Sequence, residues 1–91
     1  MAINELYATI LDRKQHPSEN SYTSSLFAEG LPRMAQKVGE EGTEVVIAAI
    51  AQDKSRLVEE LADLAYHALV LMAAKGITPQ DVAAELEKRR R

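Results

Sequence analysis

A chain of 91 residues has room for one domain, residues 1–91, whose lone core would be only marginally stable, so association through a shared apolar face is expected. Its hydrophobic fraction is 46%, with one Phe, three Tyr and no Trp, and it is dominated by Ala, Leu, Val and Ile, which suits close helix packing better than a β-rich core. A net charge of −3 excludes a broad electrostatic footprint for nucleic acid, and the absence of cysteine excludes a disulfide framework, a thiolate zinc site and a cysteine nucleophile.

The first predicted element is a helix over Ala2 to Arg13, where Ile3, Leu6, Tyr7, Ile10 and Leu11 recur at three- and four-residue spacing. The polar stretch Lys14 to Ser25 holds Pro17 and the cluster Ser21, Tyr22, Thr23. It reads as a loop of turn-forming side chains, running into a short helical turn at Leu26 and Phe27 before Gly30. A second helix is expected from about Pro32 to Gln52, because proline is tolerated in a first turn, where its missing N–H has no helical partner. A third runs from about Arg56 to Lys75, capped by Asp53 or Ser55 and stopped by Gly76. Thr78, Pro79 and Asp81 have the order of an N-cap, a first turn and a capping-box acid, which predicts a terminal helix through Val82, Ala83 and Leu86. The fold class is therefore all-α, a small bundle of four to five helices. The N-terminal stretch lacks the basic start and apolar run of a signal peptide, and no apolar run reaches the roughly 18 residues of a membrane span. A cytoplasmic protein without membrane contact is expected.

The charges cluster on the two long helices. At about 100° per residue, Met34, Val38, Val45 and Ala49 form one apolar stripe on the second helix, with Glu41 at its edge. Glu44 lies roughly 60° further round and Glu40 a little beyond, while Lys37 and Arg33 share that flank. The third helix is apolar nearly all round, which implies burial, yet Glu60, Asp63 and His67 share one of its faces, with Arg56 a turn earlier. A buried, unpaired carboxylate is costly or takes up a proton, so these acids need partners. An ion-pair network drawing on Arg33, Lys37, Lys54 and Arg56 meets that need, and so does a hard divalent cation with oxygen ligands. Glu40, Glu41 and Glu44 also fit a solvated helix face, and His67 fits a hydrogen-bonded packing residue as well as a site residue. The short link from Gln52 to Ser55 favours antiparallel packing, which lets the E-x-x-E of one helix and the E-x-x-D of the next converge.

Several stretches carry a wider likeness: LYATI at Leu6 to Ile10, SYT at Ser21 to Thr23, Gly30, KVGEEGTE from Lys37 to Glu44, and ELADLAYH from Glu60 to His67. Together they cover nearly the whole chain, which resembles the phosphoribosyl-ATP pyrophosphohydrolases of histidine biosynthesis. That family looks like a branch of the MazG-like all-α nucleotide pyrophosphohydrolases, which share the two acidic pairs and bind Mg²⁺. The resemblance implies hydrolysis of phosphoribosyl-ATP to phosphoribosyl-AMP and pyrophosphate. It implies Glu41, Glu44, Glu60 and Asp63 as ligands of Mg²⁺, or of Mn²⁺, with Glu40 or Glu44 as the general base. Arg33, Lys37 and Lys54 are then candidates for phosphate contacts, and Ser21, Tyr22, Thr23 and His67 for recognition of the phosphoribosyl or adenine part. A homodimer or higher homo-oligomer that completes the bundle is implied too. Gly42 departs from the pattern, since relatives more often carry Ala there, and should cost about 1 kcal/mol of helix propensity. In many relatives this domain is fused to the next enzyme of the pathway, for which 91 residues leave no room, so the chain is expected to act alone or with a separate partner. Two alternatives stand beside this reading: a house-cleaning nucleoside triphosphate pyrophosphatase of the same chemistry, and a non-catalytic helical dimerisation module whose acids form salt bridges.

Overall fold

Capping decides where each helix begins and ends. The computed structural model describes residues 2–90. Its helices are α1 (Ile3–Gln15), α2 (Tyr22–Glu29), α3 (Leu31–Ala51), α4 (Lys54–Ala74) and α5 (Pro79–Lys88), with no strand among the described residues. The all-α expectation holds, with one correction in the stretch read as loop. There the Ser21 side chain accepts a hydrogen bond from the Ser24 N–H at 3.1 Å, and a helix starts at Tyr22 rather than as a turn at Leu26. The serines and threonine that signal turns also serve as caps. Buried Leu26 then anchors the short helix, while the Ser24 hydroxyl accepts from Ser18 N–H at 3.0 Å and donates to the Arg13 carbonyl at 3.2 Å.

Gly30 at φ 100° is at once the C-cap of α2 and the N-cap of α3, a backbone state that L-residues with a side chain rarely adopt. Gly76 at φ 70° ends α4, allowing Ile77 N–H to reach back to the Met72 carbonyl at 2.9 Å and Gly76 N–H to the Ala73 carbonyl at 3.3 Å. Of the two caps proposed for α4, Asp53 is the one used, accepting from Arg56 N–H at 2.9 Å. Thr78 and Asp81 form the expected capping box. Tyr7 Oη donates to the Ile77 carbonyl at 2.6 Å and Gln80 to Asn4 Oδ1 at 2.8 Å, fastening the start of α5 to α1.

α3 and α4 form the antiparallel hairpin around which the rest is arranged. The buried cluster Tyr7, Ile10, Leu26, Met34, Leu69, Val70 and Ala73 draws on the start of α3 and the end of α4, so the core occupies the open end of the hairpin. At the closed end the stripe proposed for α3 shifts by one residue: Ala48 is buried and Ala49 is exposed. Ala48 lies on the Glu41 side of Met34, which places Glu41 within the packing face instead of at its edge. The expectation of a fully buried third helix also needs correction, because Val58 and Leu61 of α4 are exposed, as are Val46, Ile47 and Ile50 of α3. Among the described residues, no other helix of the chain covers this apolar tip.

Gly42 sits mid-helix in α3, and a Cβ there would meet nothing within 4 Å. Gly42→Ala should therefore stabilise the chain by about 1 kcal/mol, by lowering unfolded-state entropy and raising helix propensity. A denaturant midpoint that falls in this variant would show that the space is taken in the working assembly.

Candidate active site

The acidic site lies midway along the hairpin, between the packed core and the bare tip. One carboxylate oxygen each from Glu41, Glu60 and Asp63 lies within 4.8 Å of the others. Glu41 comes from α3 and the other two from α4, so the cluster exists only because the helices pack antiparallel. Glu60 is buried and Glu41 half-buried, whereas Asp63 is exposed; the burial expected for both α4 acids holds for Glu60 alone. Asp63 lies toward the mouth of the cluster, open to solvent and to ligands.

Glu44 and Glu40 stand outside this cluster. Glu44 is exposed one turn on from Glu41, and its charge reaches the Arg56 guanidinium. Glu40 is held by other side chains: Gln36 Nε2 donates to its Oε2 at 2.9 Å, Arg33 lies 3.7 Å away and Lys37 3.5 Å away.

Two cations offset the clustered acids. Lys37 Nζ is 3.2 Å from Glu41 Oε1, and Arg56 donates to Glu60 Oε1 at 2.6 Å and to Glu59 at 2.6 Å. The Lys37 ammonium is held above the ordinary lysine value: burial works against its charge, but the hydrogen bond to Glu41 and the fields of Tyr22, Glu41 and Glu40 outweigh it. The Arg56 guanidinium is raised by its hydrogen bond to Glu59, then by the charges of Glu60 and Glu59. The ion-pair reading of the sequence is thus met by Arg33, Lys37 and Arg56. Lys54 stands exposed in the first turn of α4, about 9 Å along the helix from Glu60 by its rise per residue.

The first turn of α2 closes one side of the site. His67 is buried; its Nδ1 donates to the Asp63 carbonyl at 2.8 Å, and its Nε2 faces Tyr22 Oη at 3.1 Å. Thr23 Oγ1 hydrogen-bonds the Tyr66 hydroxyl, and the Tyr66 ring stacks on Tyr22 with centroids 6.3 Å apart. Burial pushes the Tyr66 phenol above its ordinary value, with the Thr23 hydrogen bond acting in the opposite direction. Of the three residues of the SYT stretch, Ser21 is committed to the helix cap and Thr23 to Tyr66, leaving Tyr22 as the half-exposed member.

The structure therefore brings together Glu41, Glu60, Asp63, Lys37, Tyr22 and His67, and leaves Lys54 apart. Sequence reading named Arg56 only as an ion-pair partner for the acids and did not assign Tyr66 to the site. Arg56 carried a signal in its four-residue spacing before Glu60. Tyr66 read as part of an apolar helix face, and nothing local marked its reach to α2.

An oxygen-only donor set of carboxylates suits Mg²⁺ or Mn²⁺. Donors on opposite sides of Mg²⁺ stand about 4 Å apart, so the present spread asks for only a small side-chain adjustment. Comparison with known proteins agrees with this chemistry. A family model for phosphoribosyl-ATP pyrophosphohydrolase matches residues 3–90. The chain belongs to that family. Its relatives include the phosphoribosyl-ATP pyrophosphatase of Saccharolobus solfataricus, 48% identical over 89 residues that make up 98% of this chain and 95% of the relative. The enzyme of that name from Sulfolobus acidocaldarius is 53% identical over 87 residues, 96% of this chain and 92% of the relative. That from Sulfurisphaera tokodaii is 47% identical over 87 residues, 96% and 93% of the two chains. In this phosphoribosyl-ATP pyrophosphohydrolase the hairpin thus sets three carboxylates side by side, with Lys37 and Arg56 paired to two of them.

Proposed function

We propose that this chain hydrolyses phosphoribosyl-ATP between its α and β phosphates, releasing phosphoribosyl-AMP and pyrophosphate, the second step of histidine biosynthesis. The observation that carries this reading is the convergence of Glu41, Glu60 and Asp63 across the α3–α4 hairpin, in a chain whose full-length relatives bear that enzyme's name. Glu41, Glu60 and Asp63 would hold the metal ion, with Glu44, exposed one turn along α3, as the fourth carboxylate. Bound Mg²⁺ neutralises phosphate charge and makes water a stronger nucleophile.

The chain's own groups do the rest. Lys37 and Arg56 hold Glu41 and Glu60 in place; Lys37 would be free to meet a phosphate if a bound ion neutralised Glu41, and Arg33, 3.7 Å from Glu40, stands on the same flank as a further phosphate contact. Glu44 suits the role of proton acceptor better than Glu40, through the oxygen it would not offer the ion, because both Glu40 oxygens already face cations or an amide donor. Among the described residues no helix is long and apolar enough to cross a membrane. A second copy covers Val46, Ile47, Ile50, Val58 and Leu61, making a homodimer in which the two hairpins complete one bundle.

The test is pyrophosphate release. Purified protein with millimolar Mg²⁺ turns over phosphoribosyl-ATP, and a chelator abolishes turnover. A preference for ordinary or damaged nucleoside triphosphates over phosphoribosyl-ATP in a competition assay would move the chain to the house-cleaning class.

A further inference from the structure

The hydrogen-bond chain from Asp63 through His67 to Tyr22 has a direction. The Asp63 carbonyl can only accept, so His67 Nδ1, 2.8 Å away, carries a proton. In the neutral imidazole Nε2 is then a bare acceptor, and the Tyr22 hydroxyl 3.1 Å away must donate to it. A turned-over imidazole would lose both hydrogen bonds, placing ring carbons where the nitrogens stand. Tyr66 packs edge-on against it with centroids 4.9 Å apart, and Tyr22 does so at 5.9 Å.

With its proton committed inward, the phenol oxygen of Tyr22 presents only lone pairs to solvent, and Tyr22 is 53% exposed. It belongs to the neighbourhood of the acid cluster, since His67, which it bonds at 3.1 Å, is itself bonded to the Asp63 carbonyl at 2.8 Å. A phosphate oxygen offers no proton to such a group. The nearest donor to the phosphates along a nucleotide is a ribose hydroxyl.

We propose that His67 is a positioning residue that fixes Tyr22 as a hydrogen-bond acceptor for a ribose hydroxyl of the bound nucleotide, and that Tyr22 thereby distinguishes sugar from phosphate at the edge of the metal site. This rests on the reading of the chain as a nucleotide pyrophosphohydrolase. His67 acts through Tyr22 and does not itself touch the substrate.

Kinetics of phosphoribosyl-ATP hydrolysis in four variants test the assignment. Tyr22→Phe raises KM about ten-fold, the worth of one hydrogen bond, with kcat little changed. His67→Asn keeps a donor near the Asp63 carbonyl but removes the acceptor from Tyr22, and raises KM by a similar factor. His67→Gln places an amide oxygen near the former Nε2 and restores KM toward wild type. The Tyr22→Phe, His67→Asn double variant is no worse than either single one. As inhibitors, adenosine monophosphate and its dideoxyribose form separate the sources of the effect: Tyr22→Phe weakens the first and leaves the second unchanged.

Additive losses in the double variant, or a fall in kcat at constant KM in His67→Asn, would overturn the positioning role. Equal weakening of both inhibitors would overturn the hydroxyl assignment. Should His67→Asn fail to fold, by circular dichroism, the Gln variant and the inhibitor pair decide alone, and a ten-fold KM rise in His67→Gln then counts against the proposal. Wild-type turnover is measured first; its absence overturns the functional reading and this inference with it, whereas wild-type turnover with additive variants overturns only the role of His67.

Discussion

Glu60→Gln and Asp63→Asn each lose about a hundred-fold or more of kcat/KM for phosphoribosyl-ATP at limiting Mg²⁺, while circular dichroism stays that of a helical protein. Both substitutions keep the side chain's shape and remove a charged oxygen donor, and ligand-level changes at metal and electrostatic sites have effects of this order. The two differ in what else they disturb. Glu60 is buried and accepts from Arg56 at 2.6 Å, so its amide leaves the guanidinium with Glu59 alone and lowers thermal stability as well. Asp63 is exposed and uses its backbone carbonyl, not its carboxylate, to hold His67, so Asp63→Asn leaves stability almost unchanged. Raising Mg²⁺ recovers part of the activity in both by mass action. Glu44→Gln falls with them, and Glu40→Gln, tied as that residue is to Arg33, Lys37 and Gln36, loses less than about ten-fold. Full activity of both Glu60→Gln and Asp63→Asn at limiting Mg²⁺ would sink the metal assignment.

Ile50→Asp together with Leu61→Asp converts the assembly to a monomer in sedimentation and removes most of the activity. Ile50 is 82% exposed and Leu61 47% exposed in the single chain, so neither charge disturbs packing inside one protomer. The cost falls on whatever covers the hairpin tip. Each carboxylate buried unpaired in an apolar interface costs several kcal/mol, on the order of what holds a modest dimer together. The acid cluster lies next along the same two helices, so loosening of the tip carries into it. Wild-type protein should in turn melt at a temperature that rises with protein concentration. A variant that sediments as wild type, or a wild-type monomer with full activity, would refute the shared bundle.

Much of this architecture is legible in the sequence because it is local. The caps at Asp53 and Thr78 and the stop at Gly76 depend on residues a few positions away, and each does what its type dictates. The pairing of Glu41 with Glu60 and Asp63 also follows from local rules, since two adjacent helices with a short link pack back to back. Three features escaped for one shared reason, that they depend on contacts distant in the chain. The helical state of α2 turns on whether Ser21 caps or turns, which buried Leu26 decides from the core. Tyr66 matters through Thr23, 43 positions earlier. The third helix reads as buried because its composition suits a bundle, whereas Val58 and Leu61 stand exposed in the chain.

Gly30 closes one helix and opens the next with no residue to spare. The phenol of Tyr22 and the carboxylate of Glu41 are thus carried by two elements joined without slack, and the Tyr22–His67 and Thr23–Tyr66 hydrogen bonds pin the first of those elements to α4. A site built this way is ordered before any ligand arrives, so binding there spends little ordering entropy.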